Sequence, residues 1–543
     1  MRTLPLAALC AALVLCATAG AGTASAALSQ ESTFQDDNRL IYDTPENVAA
    51  TLDELKALGV DRLRVSVFWK IVAPDAQSRT KPAFDAGDPT AYPPGSWDRY
   101  DSLLRQAAAR GLAINLNLTS PAPLWATGTP EREDIAETFE PSAREFGLFT
   151  QAVAERYNGS FTDPRRPDDG PLPRVDYWTI WNEPNQAGWL TPQWTADSRD
   201  PSGQVETAPR LYRDLVDASF SALETTGHGS DTILIGETAP KGLNITGTTR
   251  SMKPGRFIRQ LYCLDDALVP LQGTAAEIRG CPPGADAREA FAAAHPGLFR
   301  ATGYAHHPYE LTFSPTRRPT DREFFTIANL SSLKRLLATI YRTYAQPIPG
   351  GGRNVPLYLT EFGYQTRPPD PTGVTLATQA RFLNLAEFVT ARDPDVRTHA
   401  QFLLVDDKPL PGVPENTAAA WGSTFQTGLL SLSGKRKPAY AAYKLPIVLP
   451  KETIRRGQQL RVWGLVRPAP AGRPVRVAVE LRSARRGSKW RRAKTVTVTN
   501  QRHYLDTRVS VRTSGSARLV WVDGSRKRVI SRSATFKVTK KRR

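Results

Sequence analysis

Residues 177–184 of this 543-residue chain read Tyr177-Trp178-Thr179-Ile180-Trp181-Asn182-Glu183-Pro184, and they are the clearest indication of the fold of its larger part. The stretch begins as a run of aromatic and β-branched residues, which favours a strand buried on both faces. It ends on Asn-Glu-Pro, where polar groups and a turn residue replace the apolar run. Amphipathic helical patterns lie on either side, at 142–157 and 205–226. The stretch is therefore typical of a parallel strand that alternates with helices.

The same alternation of short apolar runs and helical stretches extends over about 33–443. Strands are predicted at 33–35, 62–68, 113–118, 177–181, 233–236, 303–306, 355–359 and 400–405. Helices are predicted at 45–58, 97–110, 142–157, 205–226, 327–344 and 376–392. Eight alternating units are the number that closes a barrel, so the sequence predicts an α/β fold with a (β/α)8 TIM barrel.

The pattern changes after residue 443. Leu445-Pro446 and Leu449-Pro450 are interpreted as a linker, and alternating runs follow at 460–466, 475–481, 495–499, 504–511, 517–522 and 535–538. Short strands separated by Gly, Pro, Ser and Asn, with no helical period, favour a small all-β sandwich of immunoglobulin-like type. The predicted domains are a signal peptide at 1–26, the barrel at 27–446 and a basic β-sandwich at 447–543.

The N-terminus predicts export. Arg2 precedes an apolar run over 4–14 that is too short to span a bilayer, and 24–26 reads Ala-Ser-Ala, a typical cleavage site. We expect cleavage after Ala26 and a secreted protein, either extracellular or associated with the cell wall. A lipoprotein anchored at Cys16 is the alternative, which the bulky Leu15 before it disfavours. No later stretch has 18 uninterrupted apolar residues, so no transmembrane segment is expected.

The cysteines agree with export. Cys10 and Cys16 leave with the predicted signal peptide, and Cys263 and Cys281 remain. Two cysteines in an exported chain favour one disulfide, with two unpaired thiols as the alternative.

The charge of the chain is unevenly placed. The formal net charge is +18, yet residues 451–543 hold 27 Lys and Arg against 4 Asp and Glu, which leaves the remainder mildly acidic. Export and the lack of a recognition helix or stacking motif disfavour a nucleic-acid partner. The sequence favours an anionic cell-wall polymer or an acidic polysaccharide as the partner of the basic domain, and a highly soluble spacer domain is the alternative.

Two glutamates end predicted strands at the mouth of the barrel, where catalytic groups of this fold lie. Glu183 ends the fourth strand and Glu361 the seventh, so their carboxylates are expected to face each other across the mouth. Cleavage of a glycosidic bond needs such a pair: one carboxyl group protonates the leaving oxygen, and the other attacks the anomeric carbon or activates water. Glu237 ends the fifth strand and is the rival carboxylate. Two carboxylates and water suffice, so neither a cofactor nor a metal is expected.

Asn182-Glu183-Pro184 after a fourth strand, with Glu361 ending a seventh, resembles clan A glycoside hydrolases, among them the cellulase-like family 5 and the xylosidase-like family 39. The resemblance covers about 32–443. It implies that Glu183 is the acid/base and Glu361 the nucleophile of a retaining mechanism. It also implies that Asn182 binds the sugar 2-hydroxyl and that Arg64, on the second strand, keeps the nucleophile ionised.

The resemblance extends to the end of the sixth strand, His306-His307-Pro308-Tyr309. There it implies that His307 lines the site and that Tyr309 donates to the nucleophile. Whether His306 or His307 faces the site is left open by the sequence, because a slip of one residue reverses the face. Trp421, after the eighth strand, is a candidate sugar platform, since indole rings stack on the C–H faces of sugars. Together with Asn182 and Arg64, these residues form the predicted substrate-binding set.

The sequence therefore predicts a secreted retaining O-glycoside hydrolase that cleaves a β-linked oligo- or polysaccharide by a double-displacement mechanism with two glutamates. Two alternatives remain open. One is a non-catalytic, wall-associated carbohydrate-binding protein that uses the same groove. The other is a transglycosylase, in which a sugar rather than water resolves the intermediate.

Overall fold

The computed structural model describes residues 30–469 and 472–539, so the predicted signal peptide lies outside the described residues. Within them, eight parallel strands close into a barrel, which confirms the predicted α/β barrel. In chain order the barrel strands are Glu31–Gln35, Arg62–Phe68, Ala113–Thr119, Tyr177–Ile180, Thr232–Thr238, Gly303–His306, Leu357–Leu359 and Val396–Phe402. The first strand closes the ring by pairing with the eighth.

Alternation along the second barrel strand separates the apolar core from the barrel interior. Leu63, Val65 and Val67 are fully buried in the main apolar cluster of the barrel. Arg64, between them, points inward and reaches polar side chains from the first, fifth and seventh strands. The barrel interior is therefore polar where it approaches the ends of these strands, and the period of two along the strand sets this arrangement.

Helices alternate with the barrel strands. The α-helices are Asp37–Leu40, Pro45–Leu58, Trp69–Val72, Asp98–Ala109, Ala143–Arg156, Ala208–Thr225, Pro254–Leu261, Gly273–Glu277, Ala287–Ala294, Pro296–Arg300, Leu330–Thr343, Leu376–Thr390 and Pro438–Lys444. Short 3-10 turns cover Pro89–Ala91, Leu124–Ala126, Glu133–Thr138, Pro167–Asp169, Ile327–Asn329, Pro349–Gly351 and Ala418–Trp421. Two small two-stranded sheets pair Trp194–Ala196 with Gln204–Glu206 and Thr366–Arg367 with Val374–Thr375.

No helix among the described residues is long and apolar enough to cross a membrane.

The eighth barrel strand corrects a prediction. It was expected at 400–405 and lies at Val396–Phe402. Thr398, His399 and Gln401 are buried polar residues of this strand, and they interrupt the apolar run by which a strand is recognised. Leu403 then takes a left-handed φ of 70°, which ends the strand before the apolar 403–405.

The long segment between the fifth and sixth strands is held by a disulfide. Cys263 and Cys281 are bonded, which confirms the predicted pairing. The buried guanidinium of Arg213 donates to Cys263 Sγ at 2.8 Å and to the carbonyl of Arg279 at 2.9 Å. The disulfide loop is thereby anchored to the helix Ala208–Thr225.

The C-terminal region is all-β. Its described strands are Ile447–Val448, Thr453–Arg455, Gln459–Leu465, Val475–Ser483, Arg491–Val498, Tyr504–Ser510, Gly515–Val522, Arg528–Ile530 and Ala534–Thr539. They form a three-stranded and a six-stranded sheet, and side chains from both sheets, such as Val462, Val477 and Leu519, share one apolar core. The immunoglobulin-like topology and the domain boundaries stay predictions.

The predicted linker is part of this structure. Ile447–Val448 pairs antiparallel with Trp463 and Gly464, and Leu445 and Leu449 are buried. Proline at 446 and 450 suggested an exposed connection, but the apolar residues between them pack into the core of the sheets. The connection is therefore short and held on both sides, and it is not a free linker.

A buried ion pair joins the barrel and the C-terminal sheets. Arg467 donates to Glu387 Oε2 at 2.7 Å and to Ser32 Oγ at 2.9 Å, both in the barrel. Gly59, with a left-handed φ of 81°, allows this approach, because a Cβ there would lie 2.9 Å from Cβ of Arg467. The barrel and the sheets thus meet at the end of the helix Pro45–Leu58.

Candidate active site

A cavity of about 470 Å³ opens at the carboxyl ends of the barrel strands. Glu183 and Glu361 both line it, as do Asn182 and Tyr309 of the predicted substrate-binding set. The catalytic candidates therefore reach one cavity from turns that are 178 residues apart in the sequence. This location is the usual one for the active site of a (β/α)8 barrel.

Glu183 is positioned by an irregular turn after the fourth strand. The strand ends at Ile180, and both Trp181 and Glu183 adopt left-handed φ values, of 67° and 38°. Such conformations are unfavourable for residues other than glycine and need outside support. Asn117 Nδ2 donates to the Trp181 carbonyl at 2.7 Å, and Glu183 N donates to the carbonyl of Glu237 at 3.1 Å. The neighbouring third and fifth strands therefore hold the turn.

Glu361 follows the seventh strand and is held at both oxygens. Arg64 Nη1 donates to Oε1 at 2.9 Å, and Tyr309 Oη donates to Oε2 at 3.0 Å. Burial raises the pKa of Glu361, and the positive charges of His307 and Arg64 oppose that rise. Burial also raises the pKa of Tyr309, so this side chain is a neutral donor.

His307 lies between the two candidate catalytic carboxylates. Its Nδ1 is 2.9 Å from Glu183 Oε1 and 3.6 Å from Glu361 Oε2, and its Nε2 is 3.4 Å from Glu237 Oε2. Burial alone would lower the pKa of His307, but the charges of Glu361 and Glu237 outweigh it and raise the pKa to about 10. The imidazole is therefore a buried cation at neutral pH.

Glu183, His307 and Glu361 also have the composition of a metal site. Each offers one ligand atom, and the three atoms lie within 4.8 Å of one another. Imidazole binds a metal through a neutral ring nitrogen, whereas a protonated ring has no free lone pair. With the pKa of His307 raised to about 10, the trio is better described as an imidazolium that is ion-paired with two carboxylates.

Glu237 is the buried partner of Arg64. The Arg64 guanidinium forms an ion pair with this carboxylate, and both side chains are fully buried. Burial would raise the pKa of Glu237, but the charges of Arg64 and His307 prevail and lower it to about 2. Glu237 does not line the cavity, so the rival carboxylate of the fifth strand serves as a fixed negative charge beneath the site.

Two residues of the predicted substrate-binding set lie beneath the cavity instead of lining it. Arg64 and His307 are fully buried and contact the carboxylates. Both therefore act on the acidic groups of the site. The structure also settles which histidine faces them, because His306 Nε2 donates to the Phe325 carbonyl at 2.9 Å and burial lowers its pKa to about 3.

Asn182 is placed as the sequence predicts. Its Oδ1 accepts from Arg64 Nη2 at 2.6 Å, which fixes the orientation of the amide. Its Nδ2 has no acceptor among the described residues, and Asn182 lines the cavity. The amide N–H groups are therefore available to a hydroxyl group of a bound sugar.

Trp421 does not reach the cavity. It is 4% exposed, and its Nε1 donates to the carbonyl of Glu415 within its own loop at 2.8 Å. Phe402 and Phe425 line the cavity on the side of the eighth strand instead. The loop after the eighth strand therefore brings Phe425 to the cavity and packs Trp421 against its own backbone.

Asp37 is a cavity residue outside the predicted substrate-binding set. Asp36 is the N-cap of the helix Asp37–Leu40, because its side chain accepts a hydrogen bond from Arg39 N. Asp37 Oδ2 accepts a hydrogen bond from Gln35 Nε2 at 3.0 Å, and Asp37 lines the cavity. Its position directly after the first barrel strand was the available signal. The sequence could not show which of two adjacent aspartates caps the helix and which faces the mouth.

Comparisons with known proteins add structural likenesses. No family model and no curated protein matches the chain. Fpglu1 from Fervidobacterium pennivoraus is 13% identical with a TM-score of 0.42, covering 77% of this chain and 95% of its own. The GH5_18 structure from Streptomyces cattleya in complex with GlcNAc is 15% identical with a TM-score of 0.41, covering 79% and 84%. The exo-beta-1,4-mannosidase Op5Man5 from Opitutaceae bacterium strain TAV5 is 14% identical with a TM-score of 0.40, covering 76% and 58%. Such values are too low to transfer an activity, so the chemistry rests on the site itself.

Proposed function

We propose that this chain is a retaining O-glycoside hydrolase that acts on a β-linked saccharide. One observation carries the proposal: an oxygen of Glu183 and an oxygen of Glu361 lie within 4.8 Å of each other in the same cavity. Retaining glycosidases hold their two carboxyl groups about 5–5.5 Å apart, whereas inverting enzymes leave about 6.5–9.5 Å for a water molecule. The short distance favours direct attack by a carboxylate.

In the proposed first step, the Glu361 carboxylate attacks the anomeric carbon and the carboxyl group of Glu183 protonates the leaving oxygen. A glycosyl ester on Glu361 forms, and the aglycone leaves. In the second step Glu183 takes a proton from water, whose oxygen attacks the same carbon and frees Glu361. The proton that Glu183 gives up in the first step is thus restored in the second.

The surrounding groups suit these roles. Arg64 donates to one oxygen of Glu361 and Tyr309 donates to the other, so the carboxyl group is oriented and its charged form is favoured by both contacts. Among the described residues, Arg64 and His307 are the cations in contact with Glu183, Glu237 and Glu361. The general acid of the first step is the carboxyl group beside the leaving oxygen, which is the role that we assign to Glu183.

Chemical rescue tests the assignment. In Glu361→Ala, azide can occupy the place of the carboxylate and should give the α-glycosyl azide from an aryl β-glycoside. In Glu183→Ala, an activated 2,4-dinitrophenyl glycoside should still form the intermediate, and azide should give the β-glycosyl azide. The opposite pair of anomers would exchange the two roles, and rescue of neither variant would refute both.

The same assay separates the alternatives. Wild-type protein that binds sugars but releases no aryl alcohol from any glycoside would be a carbohydrate-binding protein without catalysis. Release of the aryl alcohol with transfer of the sugar to an added acceptor, in excess over hydrolysis, would identify a transglycosylase. A hydrolase releases free sugar as its main product.

We also propose that the protein is secreted. Arg2, the apolar run over 4–14 and the Ala24-Ser25-Ala26 site support export, and the Cys263–Cys281 disulfide suits an oxidising compartment. Mass spectrometry of the protein from the culture supernatant should find Ala27 at the N-terminus. A chain that keeps residues 1–26 and stays inside the cells would contradict the proposal.

A further inference from the structure

The cavity that holds the two carboxylates has apolar walls. Phe68, Trp189, Leu311, Phe402 and Phe425 line it together with the catalytic candidates. Leu311 is 54% exposed and Phe425 is 38% exposed, so these side chains border the opening to solvent. Leu243, Ile245 and Phe313 are also exposed and belong to the segments that follow the fifth and sixth strands. Exposed apolar side chains gathered around one opening are typical of a ligand-binding surface.

Polar residues line two parts of the cavity: some lie near the carboxylates, and others, Gln186, Lys241 and Gln365, donate hydrogen bonds to groups of the protein itself. Gln35, Asp37 and Asn182 are close to Arg64 and Glu361 through direct hydrogen bonds or through one intervening residue. Hydroxyl groups of one sugar ring can bind these polar groups. The aromatic residues of the wall could stack on a second sugar, but Leu311, which borders the opening, offers neither a π-face nor a hydrogen bond to a sugar hydroxyl.

We propose that the substrate is a glycoside with an apolar aglycone, alkyl or aryl, which binds against Leu311 and Phe425. The inference rests on the proposed glycosidase function and names its substrate class. A sugar bound at Asn182 and Glu361 places its leaving group near Glu183, whose cavity continues to the apolar wall. Each methylene of an aglycone that leaves water for this wall strengthens binding.

Alkyl glycosides of increasing length test the inference, with the sugar that gives turnover as its aryl glycoside. From methyl to hexyl the leaving alcohol hardly changes in acidity, so an increase of kcat/KM by about tenfold or more reports apolar contact. Leu311→Ser and Phe425→Ser should remove most of this dependence. Leu432→Ser is the matched control, because Leu432 is 43% exposed and does not line the cavity.

The outcomes separate this inference from the proposed function. A dependence on alkyl chain length that both Ser variants abolish assigns an alkyl aglycone, and the same loss with aryl glycosides alone assigns an aryl one. Turnover that is independent of the aglycone, or faster with a disaccharide than with the hexyl glycoside, would overturn the inference and leave the glycosidase in place. Failure to cleave any glycoside would refute both.

A different observation concerns the C-terminal sheets. A groove of about 570 Å³ is lined by Arg482, Arg485, Lys489, Arg491, Arg492 and Arg512, and no acidic residue lines it. An adjoining cavity of about 430 Å³ shares Arg482 and Arg485 and adds Arg486. Among the described residues, none of these seven cations forms an ion pair with a carboxylate. Their charges are therefore available to a ligand.

We infer that this groove binds an acidic polysaccharide, independently of the function of the barrel. A row of unpaired cations along a groove suits a linear chain of anionic groups. Nucleic acid would also need a surface for base stacking, yet Phe536 is the only aromatic residue in the lining and is 7% exposed. The guanidinium groups of Arg482 and Arg518 lie over the ring of Trp490, next to the groove.

Binding of polygalacturonate to the full-length protein, measured by calorimetry at several salt concentrations, tests the groove. The triple variant Arg485→Ser, Arg491→Ser, Arg512→Ser should weaken binding about tenfold or more and reduce the salt dependence. The matched control is Arg455→Ser, Arg456→Ser, Arg473→Ser, which removes the same charge from exposed positions outside the groove. Its affinity should stay within about twofold.

Three results would overturn the inference. Equal loss in both triple variants would show that net charge, and not the groove, attracts the polymer. Tighter binding of single-stranded DNA than of polygalacturonate at equal charge would favour a nucleic-acid site. Equal binding of neutral pullulan would show that the charges are not used.

Discussion

His307 is the residue on which the electrostatics of the site depend. It lies 2.9 Å from Glu183 and 3.6 Å from Glu361, so it lowers the repulsion between two carboxylates that must come close for a double displacement. Arg64 does the same for Glu361 and Glu237. The barrel thus supplies two buried cations to hold three glutamates, which explains why an arginine lies within the apolar second strand and a histidine directly follows the sixth.

The hydroxyl group of Tyr309 should set the acidic limit of activity. Glu361 must be ionised to attack, and its pKa is raised by burial, so activity should be present above this raised pKa and fall as the pH drops through it. Tyr309→Phe removes a hydrogen bond to the charged form and should move the acidic limb of kcat/KM upward by about one pH unit.

A pH–rate profile of Tyr309→Phe beside Tyr364→Phe provides the check. Tyr364 is also buried, but its hydroxyl donates to the Phe313 carbonyl and touches neither carboxylate. The control should keep the wild-type limb. A limb that does not move in Tyr309→Phe, or that moves to lower pH, would contradict the assignment of Glu361 as the ionised group.

Residues directly at strand ends were predictable from the sequence, and residues in long loops were not. Asn182, Glu183, Tyr309 and Glu361 lie within three positions of the end of a barrel strand, and the structure brings them to one cavity. Strand geometry fixes such residues. Trp421 lies in a loop whose course depends on packing, so its position could not be read from spacing.

At the level of elements, apolar runs located the strands as long as the buried face was apolar. The second strand, Arg62–Phe68, and the sixth, Gly303–His306, have the predicted bounds. The eighth strand shows the limit, because His399 and Gln401 are buried in a polar environment that a run of apolar residues does not reveal. The connection at 445–450 shows another limit, since proline marked a break that the sheets in fact incorporate.

The disulfide should stabilise the long segment between the fifth and sixth strands without taking part in catalysis. Cys263 and Cys281 are 18 positions apart, and a bond across a loop of this size contributes about 2–4 kcal/mol. The variant Cys263→Ser, Cys281→Ser should lose about that much free energy of unfolding in urea titration and keep its kcat. Unchanged stability, or a loss of kcat at a temperature where the variant is folded, would contradict this role.

On the scale of the whole molecule, the barrel and the C-terminal sheets are joined by buried polar contacts. Arg467 crosses from the sheets to Glu387 and Ser32, and Phe388 of the barrel packs edge-on against Trp463. An unpaired buried charge is costly, so loss of Arg467 affects Glu387 as well. The two regions should therefore unfold together.

Arg467→Ala tests this coupling. It should lower the free energy of unfolding by about 3–5 kcal/mol, because Glu387 remains buried without its partner. Arg461→Ala is the matched control: its pair with Asp506 is exposed, and its loss should cost about 1 kcal/mol or less. Equal effects of the two variants in urea titration would show that the interface does not depend on the buried pair.

During turnover, Glu361 should form a covalent bond with the sugar while Glu183 lies beside it. In a 2-deoxy-2-fluoro β-glycoside, fluorine destabilises the oxocarbenium-like transition states and the 2-hydroxyl contact expected from Asn182 is lost, so both steps are slow. A dinitrophenyl leaving group speeds only the first step, so the glycosyl enzyme accumulates. Peptide mass spectrometry after brief incubation should find one fluorosugar per chain, attached to Glu361. A label on Glu183 or Glu237 would contradict the account, as would steady turnover with inversion at the anomeric carbon and no labelled peptide.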